Sequence, residues 1–218
     1  MPSALFVVTA ADKWTLADGS TRPTGYWAEE LIAPHRVFKN AGWKIEFATP
    51  NAKAPVVDEY SLEVLSEDER AEQENYLAEI GPDLEAPLNL ADVKEADYDL
   101  VFYPGGHGPM EDLAYDQDSA QLLQKRIESG RALSLVCHAP AALLALDNDN
   151  WPLKGYAMTG FTNPKLKLNR VDGLLSIGDL GYIDKQGFLH VVGRADDMII
   201  VGGENVHPQS VTEVLEAM

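Results

Sequence analysis

The chain has 218 residues, of which 35 are acidic and 17 are basic, so its formal net charge is −18. This excess of negative charge argues against nucleic acid and anionic membrane surfaces as partners. A single cysteine is present, which excludes an internal disulfide and a cysteine-cluster metal site. The length and ordinary hydrophobic content suit a globular protein of roughly one to one and a half domains.

The amino terminus and the hydropathy pattern bear on localisation. The first residues have no basic region before their short apolar run, so we interpret Ala4 to Thr9 as a core strand and not as a signal peptide. No apolar run is long enough to cross a bilayer. Without a disulfide to form, the chain suits a reducing compartment. We therefore expect a cytoplasmic protein.

Strand and helix patterns alternate through the first two thirds of the chain. A strand at Ala4 to Thr9, a helix at Trp27 to Ala41 and a strand at Lys44 to Ala48 form a βαβ opening, which implies a parallel sheet. Residues from about 50 to 96 are rich in Glu, Asp and Pro and are expected to be an insertion. It carries one surface helix from Ser66 to Ile80, which begins with a capping box.

The alternation resumes after this insertion. The predicted elements are a strand at Leu100 to Tyr103, a helix at Ser119 to Ser129, a strand at Ala132 to Val136 and a helix at Pro140 to Leu146. We expect an α/β fold with a flavodoxin-like, doubly wound, mostly parallel sheet, whose sites gather at the carboxyl ends of the strands. From about residue 164 the pattern changes to strand, turn and strand. Gly187 marks one expected hairpin. We also expect a strand at Met198 to Val201 and a helix from Pro208 to Met218.

Two turns at this sheet edge carry the candidate chemistry. Cys137 and His138 lie between an apolar strand and a helix start, where the positive end of the helix would lower the thiol pKa. Gly105 and Gly106 follow another core strand and could bring backbone amides close to an oxyanion. Glu30, within the first helix, is the candidate carboxylate. Taken singly, each feature is also typical of a buried cysteine, a tight turn or a solvated glutamate.

In combination, four segments resemble the PfpI-like superfamily, also called class I glutamine amidotransferase-like, and in particular its heat-shock glyoxalase III branch. They lie at residues 24–30, 105–108, 136–140 and 159–162. The resemblance covers residues 1 to about 163. It implies that Cys137 is the nucleophile, that His138 stands beside it and that Glu30 contacts the thiol. It also implies that Gly106 and the His138 amide are oxyanion donors.

The resemblance is incomplete at one position. The superfamily has a third acid a few residues after the Thr-Gly-Phe-Thr segment, and residues 163–167 here read Asn-Pro-Lys-Leu-Lys. The third acid is therefore absent from the expected place. We expect weakened activity, because an unoriented imidazole populates mixed tautomers.

Residues 164–218 resemble the hinge region of adenylate-forming acyl-CoA synthetases. The matching segments run from Asp172 to Asp184 and from Val192 to Pro208. In that family the position of Asp179 binds ribose and that of Arg194 lies at the hinge. Because the large nucleotide-binding domain is missing, we expect these residues to be structural remnants of a chimera.

The expected function is a cysteine-dependent enzyme of the glyoxalase III or deglycase type. It would act on a small aldehyde such as methylglyoxal and use no cofactor and no metal. A homodimer is left open. Two alternatives remain: a chaperone or redox-responsive protein that uses Cys137, and an inactive chimera.

Overall fold

The computed structural model describes residues 1–16, 18–146 and 152–153, together with short strands at 157–158, 179–183, 189–194, 199–201 and 204–206. By its contacts the chain divides into two compact units, Met1–Pro152 and Leu153–Met218. In the described part of the chain, no helix is both long enough and apolar enough to cross a membrane.

The first unit is built on a parallel sheet of five strands. In chain order its strands are β1 (Ser3–Val7), β4 (Lys44–Thr49), β5 (Leu88–Asn89), β6 (Leu100–Tyr103) and β7 (Ala132–Leu135). Their order across the sheet is β5-β4-β1-β6-β7. β1 lies centrally and is buried almost completely, as expected for a parallel strand covered on both faces. The predicted flavodoxin-like, mostly parallel fold is confirmed.

Four α-helices accompany this sheet: α1 (Ala28–Asn40), α2 (Tyr60–Glu63), α3 (Glu67–Glu85) and α4 (Gln117–Ser129). α1 and α3 pack on each other and on β4, whereas α4 packs on β7. The core centres on Phe6, which contacts the rings of Phe47 and Phe102 on its two neighbouring strands. This packing fixes α1, which carries the candidate carboxylate, against the sheet.

Three local features differ from the sequence predictions. A hairpin of β2 (Lys13–Thr15) and β3 (Thr21–Pro23) was not expected, because its strands are too short to show alternation. The predicted insertion adds the edge strand β5 to the sheet. The segment after Cys137 is a 3-10 helix at Ala139–Ala145 and not an α-helix.

In the second unit, the described strands are β8 (Ala157–Met158), β9 (Asp179–Ile183), β10 (Leu189–Arg194), β11 (Ile199–Val201) and β12 (Glu204–Val206). β8, β9 and β10 form an antiparallel sheet, and β11 pairs with β12. The strand β11 agrees with the predicted strand at Met198 to Val201. The turn that contains Gly187 and the helix predicted from Pro208 to Met218 lie outside the described residues, as do residues 163–167.

Candidate active site

Cys137 lies in a strained turn directly after β7. Its φ of 57° is in the left-handed region, which is uncommon for residues other than glycine. Two backbone hydrogen bonds stabilise the turn. The Val136 amide donates to the Tyr103 carbonyl at 3.1 Å, and the Ala139 amide donates to the Val136 carbonyl at 2.9 Å. Strain that the surrounding structure maintains at one residue often accompanies function. In this chain the strained turn places the Cys137 thiol at the carboxyl edge of the sheet.

The glycine turn after β6 lies against this cysteine. A Cβ added to Gly105 would lie 2.5 Å from Glu30 Oε2 and 2.6 Å from the Cys137 Cβ. Gly106 has a φ of 94°, and a Cβ there would meet the carbonyl of Gly25 and, at 2.7 Å, the amide of Trp27. Both positions therefore require glycine, because any side chain would separate the three segments.

Glu30 reaches the same point from the first turn of α1. Its Oε2 accepts a hydrogen bond of 2.9 Å from the Gly105 amide, and the Cys137 side chain lies beside the same carboxyl group. Glu29 is exposed. One helical position rotates a side chain by about 100°, so only Glu30 faces the cysteine. The structure thus brings Cys137, Glu30 and the Gly105-Gly106 turn together.

The electrostatics of this pair follow from burial. Burial raises the pKa of the Glu30 carboxyl group, against the hydrogen bonds from Cys137 and Gly105. Burial, followed by the negative charge of Glu30, raises the pKa of the Cys137 thiol to about 12, while the amides of Gly106 and His138 act in the opposite direction. Because the charge of Glu30 raises the thiol pKa, the two groups titrate as a coupled pair and not independently.

The sequence-based expectation of a lowered thiol pKa is wrong for Cys137 beside a charged Glu30. The end of a helix is worth only roughly 0.3–1 kcal/mol, equivalent to less than about one pH unit. The segment that follows here is a short 3-10 helix. Desolvation and a carboxylate in direct contact outweigh that contribution.

His138 is buried beside the thiol. Its Nδ1 lies 3.3 Å from the Cys137 Sγ, and only 3% of the residue is exposed. Burial, aided by His107, lowers the pKa of His138 to about 3. The imidazole is therefore neutral at physiological pH and can accept or donate a proton according to its tautomer. This is the protonation state that a general acid-base group needs.

Three further residues adjoin the site and were given no role in the sequence analysis. The ring of His107 stacks on Trp14 and contacts His138, with centroids 4.8 Å apart in each case. Its Nδ1 lies 3.5 Å from Oδ2 of Asp58. His107 lies within the Gly-Gly-His-Gly motif, so the sequence offered a signal for its place beside the site. Trp14 and Asp58 belong to segments with no recognisable motif.

The sequence that carries these site residues matches a known protein family. Residues 24–186, about three quarters of the chain, match the DJ-1/PfpI family. The chain belongs to the DJ-1/PfpI family. The match includes all the predicted site residues, from Glu30 to His138, and extends beyond residue 163 into the antiparallel sheet.

Curated relatives of the chain are enzymes. Glyoxalase 3 of Candida albicans is 26% identical over 99% of this chain and 96% of its own length. The protein/nucleic acid deglycase HchA of Escherichia coli is 30% identical over 72% of this chain. The chain spans only 56% of that deglycase, so the alignment covers about half of the larger protein.

Solved structures agree with the fold. Glyoxalase III of Candida albicans matches 99% of this chain and 95% of its own, with 25% identity and a TM-score of 0.64. The 24 kDa rapid encystment protein of Francisella tularensis matches 88% of this chain and 92% of its own, also with a TM-score of 0.64. At 19% identity it supports the fold alone.

Within the described residues, no group of three or more His, Cys, Asp and Glu side chains is arranged to hold a metal ion. What the site offers is a thiol, a carboxyl group that shares its proton, a neutral imidazole and two convergent amides. Such a set is suited to nucleophilic addition to a carbonyl followed by proton transfer.

Proposed function

We propose that this chain is a glyoxalase III-type enzyme that converts methylglyoxal and water to lactate. The observation that carries the proposal is the convergence of three side chains on one point. A Cβ at Gly105 would lie 2.5 Å from Glu30 Oε2 and 2.6 Å from the Cys137 Cβ, and His138 Nδ1 lies 3.3 Å from the Cys137 sulfur. The similarity to glyoxalase 3 along nearly the whole chain supports it. The proposed catalytic residues are Cys137, His138 and Glu30. Of the two glycines expected to bind the substrate oxygen, Gly106 takes that role, because the Gly105 amide already donates to Glu30.

The first step is addition of the thiolate to the aldehyde carbon. The pair reacts in the form in which Glu30 holds the shared proton and Cys137 is the thiolate. A carbon–sulfur bond forms, the carbonyl π electrons move to oxygen, and that oxygen takes a proton to give a hemithioacetal. The amides of Gly106 and His138 stabilise the negative charge that develops on oxygen.

The second step moves a proton between the two carbons. His138 removes the proton from the former aldehyde carbon, giving an enediol, and a proton returns to the neighbouring carbon. The product is a lactoyl thioester of Cys137. Water then breaks the carbon–sulfur bond, which releases lactate and restores the thiol. No oxidant or reductant is required, because the aldehyde is oxidised by the ketone of the same molecule.

The test is lactate formation from methylglyoxal by the purified chain and by three variants. Cys137→Ser should remove turnover, and Glu30→Gln should reduce it, whereas the exposed Glu29→Gln serves as the matched control and should retain it. Unchanged turnover in Cys137→Ser would refute the mechanism. Equal losses in Glu29→Gln and Glu30→Gln would show that Glu30 has no special role.

A deglycase activity is the second candidate, favoured by the 30% identity to HchA. The same thiolate would attack the carbon that joins a methylglyoxal adduct to an amino or thiol group. The bond to that group breaks, the group leaves with a proton, and the hemithioacetal of Cys137 that remains follows the steps above. Loss of the adduct from glycated N-acetylcysteine or N-acetylarginine, dependent on Cys137, would support it. Turnover of free methylglyoxal without adduct loss would exclude it.

We also propose that the activity is weaker than in relatives that possess the third acid. The support is the sequence Asn163-Pro164-Lys165-Leu166-Lys167, which contains no carboxylate. Variants that place Glu at Pro164, Lys165 or Leu166 should include one with higher turnover. If none rises and the unmodified chain matches an intact relative, the acid is dispensable.

The origin of residues 164–218 is a further proposal. The acyl-CoA synthetase-like motifs support a chimera with a boundary near residue 163. The family match continues to residue 186, however, and the alignment with glyoxalase 3 covers nearly the whole chain. Removal of residues 164–218 tests the boundary: a cooperative, soluble fragment of residues 1–163 would support it, whereas an unfolded fragment would contradict it.

A further inference from the structure

Three aromatic rings, those of Trp14, His107 and His138, follow one another into the site. Trp14 and His107 are stacked, with an interplanar angle of 14°, and His107 meets His138 at 39°. The two centroid distances of 4.8 Å are typical of offset aromatic contacts. His107 therefore lies between the tryptophan and the imidazole that contacts the Cys137 sulfur.

Asp58 fixes the edge of the His107 ring. Its Oδ2 lies 3.5 Å from His107 Nδ1 and accepts a hydrogen bond of 3.3 Å from the Thr24 hydroxyl. Its other oxygen accepts from the Tyr60 amide at 3.1 Å. The Asp58 side chain is only 9% exposed. A carboxylate held by two other donors gives the His107 ring a fixed partner on one side.

Trp14 is fixed on the outer side of His107. It lies in the β2–β3 hairpin, and the guanidinium of Arg22 stands 4.6 Å from its ring centroid. The next residue, Thr15, donates from its amide and its hydroxyl to Glu111, at 2.9 and 2.8 Å. Only 5% of Trp14 is exposed. Trp14 and His107, the two rings that precede His138, are thus each held in place.

His107 also acts on the site electrostatically. Burial is the main reason for the low pKa of His138, and His107 lowers it further. His107 likewise opposes the effect of burial on the pKa of Glu30. The ring therefore influences two of the proposed catalytic groups.

The orientation of His138 matters because a single nitrogen faces the sulfur. When Nδ1 carries the hydrogen, it donates to a thiolate; when it does not, it accepts from the thiol. A mixture of tautomers would leave part of the molecules unable to carry out a given proton transfer. A neighbouring ring in a fixed position restricts the rotation of the imidazole. This keeps Nδ1 against the sulfur, and the hydrogen bond at that nitrogen selects the tautomer.

We propose that His107, held between Trp14 and Asp58, is a positioning residue that sets the ring orientation and tautomer of His138. The inference rests on the proposed role of His138 in proton transfer. His107 itself acts through His138 and not through the substrate. Its removal should therefore lower kcat more than it changes KM.

The first test is independent of turnover. In the protein labelled with ¹⁵N-histidine, the ring nitrogen shifts of His138 report its tautomer, and the chain has only five histidines to assign. The unmodified chain should show one dominant tautomer. His107→Gln, which removes the ring, and Asp58→Asn, which removes the charge, should each give averaged shifts. The exposed Asp92→Asn is the matched control and should leave the shifts unchanged.

A second set of variants guards against misfolding. His107→Phe keeps a ring between Trp14 and His138 but cannot form a hydrogen bond with Asp58. It should therefore fold and retain part of the ordering of the His138 ring. Amide spectra identify variants that are folded. Unchanged His138 shifts in the folded variants among His107→Gln, His107→Phe and Asp58→Asn would overturn the inference.

The second test uses methylglyoxal turnover. His107→Gln should lower kcat by about ten- to hundredfold, as expected for a misplaced catalytic group, with KM nearly unchanged and a smaller loss in His107→Phe. If the unmodified chain does not turn over methylglyoxal but the histidine shifts respond as expected, the proposed function fails and the positioning role stands. If turnover is present and the histidine shifts do not respond, the proposed function stands and the positioning role of His107 fails.

Discussion

The Glu30 carboxyl group and the Cys137 side chain lie side by side at Gly105, although 107 positions of the sequence separate them. One is supplied by α1 and the other by the turn after β7. Gly105 donates to the same carboxyl oxygen at 2.9 Å. The reactivity of the thiol therefore depends on Glu30 and Gly105 as well as on the cysteine itself.

The close approach of the three segments predicts that Gly105→Ala disrupts the site. The added Cβ would lie 2.5 Å from Glu30 Oε2 and 2.8 Å from the Val136 carbonyl, so Glu30 and the cysteine turn must move apart. We expect turnover to fall by about a hundredfold or more, since displacements of about 1 Å can have such an effect. Turnover and urea unfolding measure activity and stability separately.

The matched control for that variant is Gly81→Ala. Gly81 lies within α3, and a Cβ there meets no atom within 4 Å. It should retain full activity and gain up to about 1 kcal/mol of stability, because alanine favours helix. Full activity in Gly105→Ala would show that the glycine turn does not need its close contact.

The shared proton predicts an unusual pH profile for alkylation of Cys137. In the unmodified chain, the rate with iodoacetamide should rise once as the pair loses its first proton, above the ordinary glutamate pKa of 4.5. It should rise again towards about pH 12. Glu30→Gln should remove the lower step and bring the upper one to lower pH, because the neighbouring negative charge is gone.

Glu29→Gln provides the comparison for this experiment, since Glu29 is exposed. It should keep both steps. Rates measured between about pH 4 and pH 11 would cover the relevant part of the curve. Identical profiles for the two variants would contradict a proton shared by Glu30 and Cys137.

A buried histidine away from the site predicts loss of stability in acid. His35 is only 5% exposed, stacks on Phe47 and lies 2.9 Å from the Tyr76 hydroxyl. Burial lowers its pKa from 6.5 to about 4. Between these values the unfolded chain binds a proton that the folded chain does not, so the free energy of unfolding falls as the pH decreases.

The expected slope from one such histidine approaches about 1.4 kcal/mol per pH unit. Urea unfolding of the unmodified chain and of His35→Gln between pH 7 and pH 4 measures it. The variant should be less stable at pH 7 but should lose stability less steeply. His138, whose pKa is also lowered, contributes the same slope in both proteins. Parallel curves would show that His35 is not the group that titrates.

The second unit predicts no useful binding of nucleotide. Asp179 and Arg194, which match ribose-binding and hinge positions of acyl-CoA synthetases, are register partners on β9 and β10. The residues that precede these strands match the DJ-1/PfpI family and not the large nucleotide-binding domain of the synthetases. Isothermal titration with ATP and with AMP should show no binding at millimolar ligand. Saturable binding that disappears in Asp179→Ala would overturn this expectation.

The sequence alone predicted the parts of the site that depend on local pattern. An apolar strand followed directly by a turn and a helix start indicates the carboxyl edge of a parallel sheet, so Cys137, His138, Gly105 and Gly106 could be placed at one edge. Adjacent helical residues are rotated by about 100°, so only one of Glu29 and Glu30 could face the cysteine. These inferences need only the geometry of single elements.

Only the tertiary structure decided the surroundings of His138 and the protonation of the thiol. Asp58 lies 49 positions from His107, and Trp14 belongs to a hairpin with three-residue strands, so neither has a periodic signal in the sequence. The thiol pKa depends on how many atoms exclude water from Cys137 and on the distance to Glu30. Such long-range contacts arise from the packing of α1, β6 and β7, which no local pattern specifies.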